Sequence, residues 1–209
     1  MAISRRAFGL VLLALLAASP LMADEAESHT RRRCLGTDPD APVLIEVFSD
    51  FQCPACGRLY LDTIRPVLAD YAMKGRVCVV YREFPLPGRR YSRQAARYTA
   101  AARRLGQQQW IRVTDALYYH QALWMVTGQL DPIVSKGLSE KEMDQIRDLV
   151  ENGTLEADID RDLALGRSRG VRATPTLFIT ANGKTERVVG AVQYEILRRY
   201  LDNLLARAQ

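Results

Sequence analysis

The feature that most constrains this fold is a hydrophobic period that changes twice along the chain. Val43-Leu44-Ile45-Glu46-Val47-Phe48 is apolar on both faces except at Glu46, the pattern of a strand buried between layers. Pro54 suits the first position of a helix, and Tyr60, Leu61, Ile64, Val67, Leu68 and Tyr71 then recur at helical spacing up to Gly75, with Pro66 expected to kink that helix. Arg76 to Arg82 is a second strand, which closes a βαβ unit with parallel strands and a right-handed crossover. From Arg89 to Arg167 the period is helical throughout, over Ala95 to Ala102, Trp110 to Met125, Glu140 to Leu149 and Ala157 to Leu165. After Gly170 it reverts: Thr176 to Thr180, the turn pair Asn182-Gly183 and Glu186 to Val189 form a hairpin, and Tyr194 to Ala208 a closing helix. The order βαβ, helical insert, ββα predicts an α/β sandwich with an inserted all-helical lobe. Residues 37–88 and 168–209 would form the sheet domain and residues 89–167 the insertion.

The N-terminus is set aside from this fold. Arg5 and Arg6 precede an uncharged run, Phe8 to Ala18, followed by Ser19, Pro20 and the small residue Ala23, which reads as a signal peptide over residues 1–23. The run is shorter than the roughly 18 apolar residues a membrane span needs. Ser4-Arg5-Arg6-Ala7-Phe8 also resembles a twin-arginine signal, so Sec and twin-arginine export both stay open. Removing residues 1–23 takes away two arginines and no acid, which lowers the net charge from +5 to +3 and leaves no case for nucleic-acid binding. In the N-terminal segment 24–36, Arg31-Arg32-Arg33 is taken as a solvated charged face.

Export matters for the four cysteines, Cys34, Cys53, Cys56 and Cys78, because thiols outside the cytoplasm can stay oxidised. Cys53 and Cys56, in Cys53-Pro54-Ala55-Cys56, lie on the first turn of the expected helix, where free backbone N–H groups and the helix dipole favour an anion. Thiolate is the attacking species, so Cys53 is the expected nucleophile and Cys56, one turn further in, the resolving thiol. Two other readings stay open at this point: a structural disulfide, and a metal site. The latter would need a second cysteine pair or two histidines at ligand spacing, whereas His29 and His120 lie far apart.

Ala41-Pro42-Val43 through Phe48-Ser49-Asp50-Phe51-Gln52-Cys53-Pro54-Ala55-Cys56, with Tyr81-Arg82-Glu83-Phe84-Pro85-Leu86 and Gly170-Val171-Arg172-Ala173-Thr174-Pro175-Thr176, resembles the DsbA-like branch of the thioredoxin superfamily over nearly the whole mature chain. The resemblance implies a thioredoxin-like fold, a cis bond at Thr174-Pro175 packed beside Cys53, and a Thr174 backbone free to pair with an extended substrate. It also implies that Glu46 lies under the disulfide and relays a proton to or from Cys56; an exposed or salt-bridged Glu46 is the alternative. Ala55 departs from the histidine many strong oxidases carry between the cysteines. The extra pair Cys34 and Cys78 is expected to form a second, structural disulfide closing a loop of about 45 residues, worth roughly 4 kcal/mol, with two free thiols as the alternative.

The function that follows is a periplasmic thiol:disulfide oxidoreductase. It would introduce disulfides into reduced, unfolded exported proteins and be reoxidised by a membrane partner of DsbB type. No cofactor or metal is needed. An isomerase or reductase is the rival within this chemistry, since Thr174 also precedes the proline in isomerase-type members. The short segment 24–36 leaves no room for a dimerisation domain, so a monomer is expected. A copper or zinc carrier, or a chaperone without redox turnover, is the alternative of another class.

Overall fold

The computed structural model describes residues 28–207; the expected signal peptide at 1–23 lies outside the described residues. Its centre is a four-stranded sheet of order β2-β1-β3-β4, built from β1 (Val43–Ser49), β2 (Val77–Glu83), β3 (Thr176–Ala181) and β4 (Lys184–Val189). β1 pairs with β2 in parallel, Val47 opposite Tyr81, and with β3 antiparallel, Val47 opposite Leu177. β3 and β4 form the expected hairpin, with Asn182 and Gly183 both at positive φ, as a two-residue type I′ turn requires.

Side chains alternate across β1 and β2, and the two faces differ in kind. On one face Val43, Ile45, Val47, Val77, Val79, Tyr81, Leu177 and Ile179 meet the helices α1 (Pro54–Leu59) and α2 (Arg65–Asp70) and the closing helix α9 (Tyr194–Ala206) in the main core. On the other, Phe48 and Phe178 join Phe84, Ala96, Ile159, Leu163 and Val171 in a smaller one. Between β2 and β3 run α3 (Ser92–Leu105), α4 (Gln107–Tyr119), α5 (Gln121–Thr127), α6 (Asp131–Val134), α7 (Glu140–Glu151) and α8 (Glu156–Ser168), the inserted helical lobe. Ser139 and Glu142 close a capping box at the start of α7.

Three local departures from the sequence reading have physical causes. Pro66 does not simply kink its helix: a π-helical turn, Tyr60–Ile64, links α1 to α2 and accommodates the proline, which has no N–H to give. The segment Trp110 to Met125 is two helices, not one. The Trp124 indole N–H donates to the Leu117 carbonyl at 2.6 Å, taking the acceptor that a continuous helix would use, and the chain breaks at His120. Arg33, finally, is not part of a solvated face. It is buried, donating to Asp162 at 2.6 Å and to the Tyr81 carbonyl at 2.9 Å.

The segment before β1 guards the open edge of the sheet. Leu35 pairs with Val79 in an isolated antiparallel bridge, and beside it Cys34 and Cys78 are joined by a disulfide with Cα atoms 5.4 Å apart. An unpaired edge would otherwise offer its N–H and C=O groups to other chains.

Candidate active site around Cys53 and Cys56

β1 delivers the chain to the mouth of the site, and the three residues after it fix the loop. Asp50 is buried and accepts from the Gln52 and Leu86 N–H groups, both at 2.7 Å, and from the Ser92 hydroxyl. The Gln52 side-chain oxygen accepts from the Tyr91 N–H at 2.7 Å, tying the loop to the start of the inserted lobe. Cys53 follows as the N-cap of α1 in extended conformation (φ −89°, ψ 116°), with Pro54 opening the helix. From the lobe, the Gln121 amide donates to the carbonyls of Phe51 (2.7 Å) and Cys53 (3.0 Å). Gly57 makes room for it: a Cβ there would lie 3.2 Å from the Gln121 side-chain oxygen.

The chain entering β3 forms the other wall. The Thr174–Pro175 peptide bond is cis, and the Thr174 carbonyl lies 3.3 Å from Cys53 Sγ. Thr174 Oγ1 is buried without a hydrogen-bond partner, and its presence favours charge on the Cys53 sulfur. Cys53, Cys56, Thr174 and Pro175 are thus gathered in one place from segments more than a hundred residues apart.

The two thiols are both unpaired, and their surroundings push them in opposite directions. The Cys53 thiol is lowered to about 5, first because the Cys56 thiol donates to its sulfur, and then because the Cys56 and Ala55 N–H groups and the Thr174 hydroxyl do so too, against the opposing effect of burial. Burial pushes Cys56 well above the ordinary thiol range, and its hydrogen bond to Cys53 and the charge there push the same way. At neutral pH the pair is therefore a Cys53 thiolate beside a Cys56 thiol, the division of labour a nucleophile and a resolving thiol require.

Glu46 is not brought to Cys56. Strand alternation turns it to the opposite face from Ser49, where it accepts from Arg82 at 2.7 Å and pairs with Arg169. Arg82 also contacts Asp162 at 3.3 Å, so the carboxylate belongs to a buried ion network. The Ser49 hydroxyl and the Asp50 N–H, and not Glu46, are the groups that favour charge on Cys56, against the larger effect of burial. Sequence reasoning missed Ser49, Asp50, Gln52 and Gln121. Among these, Ser49, Asp50 and Gln52 did carry a signal, three polar residues interrupting the apolar run that leads to Cys53. Among the described residues no cluster of three or more His, Cys, Asp or Glu side chains is arranged to hold a metal ion.

The family model described as Thioredoxin matches residues 30–203. The chain belongs to this family. Within it the chain is a DsbA-like thiol:disulfide oxidoreductase. It is 27% identical over 164 residues to the probable disulfide bond formation protein D of Bacillus cereus, covering 76% of this chain and 74% of that protein. The fold of Wolbachia pipientis α-DsbA1 superposes with a TM-score of 0.68 at 21% identity, over 84% of this chain and 92% of the other. A thioredoxin-like oxidoreductase from Silicibacter pomeroyi superposes with a TM-score of 0.64 at 26% identity, over 82% and 90%. The thioredoxin-like fold with a helical insertion read from the sequence is the fold observed.

Proposed function

We propose that this oxidoreductase works as a periplasmic oxidase, passing the Cys53–Cys56 disulfide to reduced, unfolded proteins as they are exported. The observation that carries this reading is the Cys53 thiolate. Four donors and a helix start stabilise its charge, so the reduced protein is the favoured state and the disulfide gives up its oxidising equivalents readily. Exchange opens with a substrate thiolate attacking Cys53 Sγ, the less buried of the two sulfurs. An extended substrate strand would pair with the Thr174 backbone beside the nucleophile. Reoxidation falls to a membrane partner of DsbB type, and the chain acts as a monomer. The leader-like residues 1–23 support export, and among the described residues no helix is long and apolar enough to cross a membrane. The name of the Bacillus relative, a disulfide bond formation protein, agrees with oxidation as the direction.

The test is the equilibrium of the Cys53–Cys56 pair with glutathione, together with oxidation of a reduced, unfolded disulfide protein. An oxidase gives a potential toward that of DsbA, about −120 mV, stoichiometric oxidation of the substrate, and loss of both with Cys53→Ser. A potential near that of thioredoxin, about −270 mV, would overturn the assignment of direction.

A further inference from the structure

Every step of exchange passes through one atom, Cys53 Sγ. A substrate thiolate attacks it, the Cys53–Cys56 bond breaks, and the bonding electron pair leaves on Cys56, which takes up a proton from solvent. A second substrate thiolate then attacks the substrate sulfur of the mixed disulfide and displaces Cys53 as thiolate, so that two electrons have passed from the substrate dithiol to the protein. Each displacement needs its attacking, central and leaving sulfurs in line, and a reacting group out of place by about 1 Å can cost about a hundredfold in rate. What fixes Cys53 therefore bears on the chemistry as well as on the fold.

The insertion grips the chain leading to that atom. Phe51, Gln52 and Cys53 are consecutive, and each carbonyl accepts from a side chain of the insertion. Phe51 accepts from the Gln121 amide at 2.7 Å, Gln52 from Arg89 Nη1 at 2.6 Å, and Cys53 from Gln121 again at 3.0 Å. A glutamine amide has two N–H donors, and the two carbonyls take both. Gln121 opens α5, directly after the break at His120, and Arg89 lies on the connection from β2 into the lobe. The Cys53 carbonyl also accepts the opening bonds of α1, from the Cys56 N–H at 3.0 Å and the Gly57 N–H at 3.2 Å. It is thus a joint between the helix that carries the cysteine pair and the lobe. On the far side the sulfur itself meets the Thr174 carbonyl at 3.3 Å.

We infer that Gln121 and Arg89 are positioning residues for exchange: through the carbonyls of Phe51, Gln52 and Cys53 they let the inserted lobe hold Cys53 Sγ in line for displacement. The place of Gln121 is built in, since a Cβ at Gly57 would press on its side-chain oxygen at 3.2 Å and on the Tyr118 ring at 3.3 Å. The grip falls on carbonyls, whose capacity to accept is the same in the disulfide and the dithiol. It therefore lowers the barrier in both directions and favours neither state. Gln121 is uncharged, so its effect is one of place alone. Arg89 brings a guanidinium to the residue before the nucleophile and adds attraction for the thiolate.

The inference rests on exchange through Cys53 and Cys56 but not on its net direction, and the experiment separates the two. The full chain is reduced by dithiothreitol and reoxidised by oxidised glutathione under stopped flow, with rates expressed per folded molecule. Its glutathione equilibrium and the thiolate absorbance of Cys53 are measured in parallel. Gln121→Met, which keeps the length of the side chain and removes both donors, should slow reduction and reoxidation alike, by about tenfold to a hundredfold. The equilibrium and the thiolate titration should stay where they are in wild type. Arg89→Lys, which keeps a donor and the charge, should retain most of the rate. Arg89→Met should lose rate and also move the thiolate titration upward. Where Gln121→Met does not fold, Gln121→Asn, an amide one methylene too short to reach both carbonyls, carries the same test. An unchanged rate per folded molecule in the Gln121 variant, or a fall confined to one direction and matched by the equilibrium, overturns the positioning role. A wild-type protein inert to dithiothreitol would instead overturn exchange itself.

Discussion

At the scale of single residues, the Cys53 thiolate controls the pH behaviour. Its folded value of about 5 lies below the usual 9.0, so ionisation favours the folded, reduced form. That contribution is complete above the ordinary thiol range and shrinks as pH falls, vanishing once pH drops below about 5. The oxidised form has no thiol to ionise, so the stability advantage of reduced over oxidised protein should grow between pH 5 and 9. Urea unfolding of both forms across this range checks it, and the ultraviolet thiolate absorbance should titrate near pH 5 and disappear in Cys53→Ser. An advantage that stays flat with pH would contradict the assignment. The cysteine pair at a helix start was legible in the sequence because both are local patterns. The contact between Ser49 and Tyr118 was not: they are 69 residues apart, and only the docking of the lobe brings their oxygens together.

Elements differ in how tightly they are held, and two contacts on the Phe48 face of the sheet show it. α8 approaches so closely that a Cβ at Gly166 would lie 2.4 Å from a Phe84 ring carbon and 3.0 Å from one of Phe48. Gly166→Ala, harmless in an exposed helix, should therefore cost about 1–3 kcal/mol of stability in urea unfolding through overpacking. On the same face, Glu46 joins β1 to Arg82 on β2 and to Arg169 at the end of α8. Glu46→Gln leaves two guanidiniums short of a charge partner and should cost about 3–5 kcal/mol. Its rate of exchange with dithiothreitol, measured on the folded protein, should match wild type. A selective slowing would return Glu46 to the role of proton relay. The sequence marks Glu46 as an anomaly in an apolar strand, which fits a salt bridge as well as a relay. It could not choose, because a family resemblance carries the acid over but not its register relative to the cysteine, and one residue of register changes the face. The strands and the hairpin turn were legible for the opposite reason: period and turn chemistry are written within a few residues.

For the whole molecule, the question is what holds the N-terminal segment to the sheet. Several links act together, among them the Leu35–Val79 bridge, Arg33 on Asp162, and the disulfide from Cys34 to Cys78 at a separation of 44 residues. Cross-linking a loop of this length restricts the unfolded chain by roughly 4 kcal/mol. The double variant Cys34→Ala with Cys78→Ala should lose up to about that amount, with dithiothreitol kinetics at Cys53 and Cys56 unchanged, because Cys78 lies on the face of β2 turned away from them. The loss should be smaller in protein whose disulfides have first been reduced, since the wild-type reference then lacks the same constraint. Equal destabilisation in oxidised and reduced protein would mean that the two side chains act through packing alone, and the segment would then owe its place to Arg33 and the strand bridge. A bridge on the face of β2 turned away from Cys53 and Cys56 would let that pair exchange while the edge of the sheet stays closed.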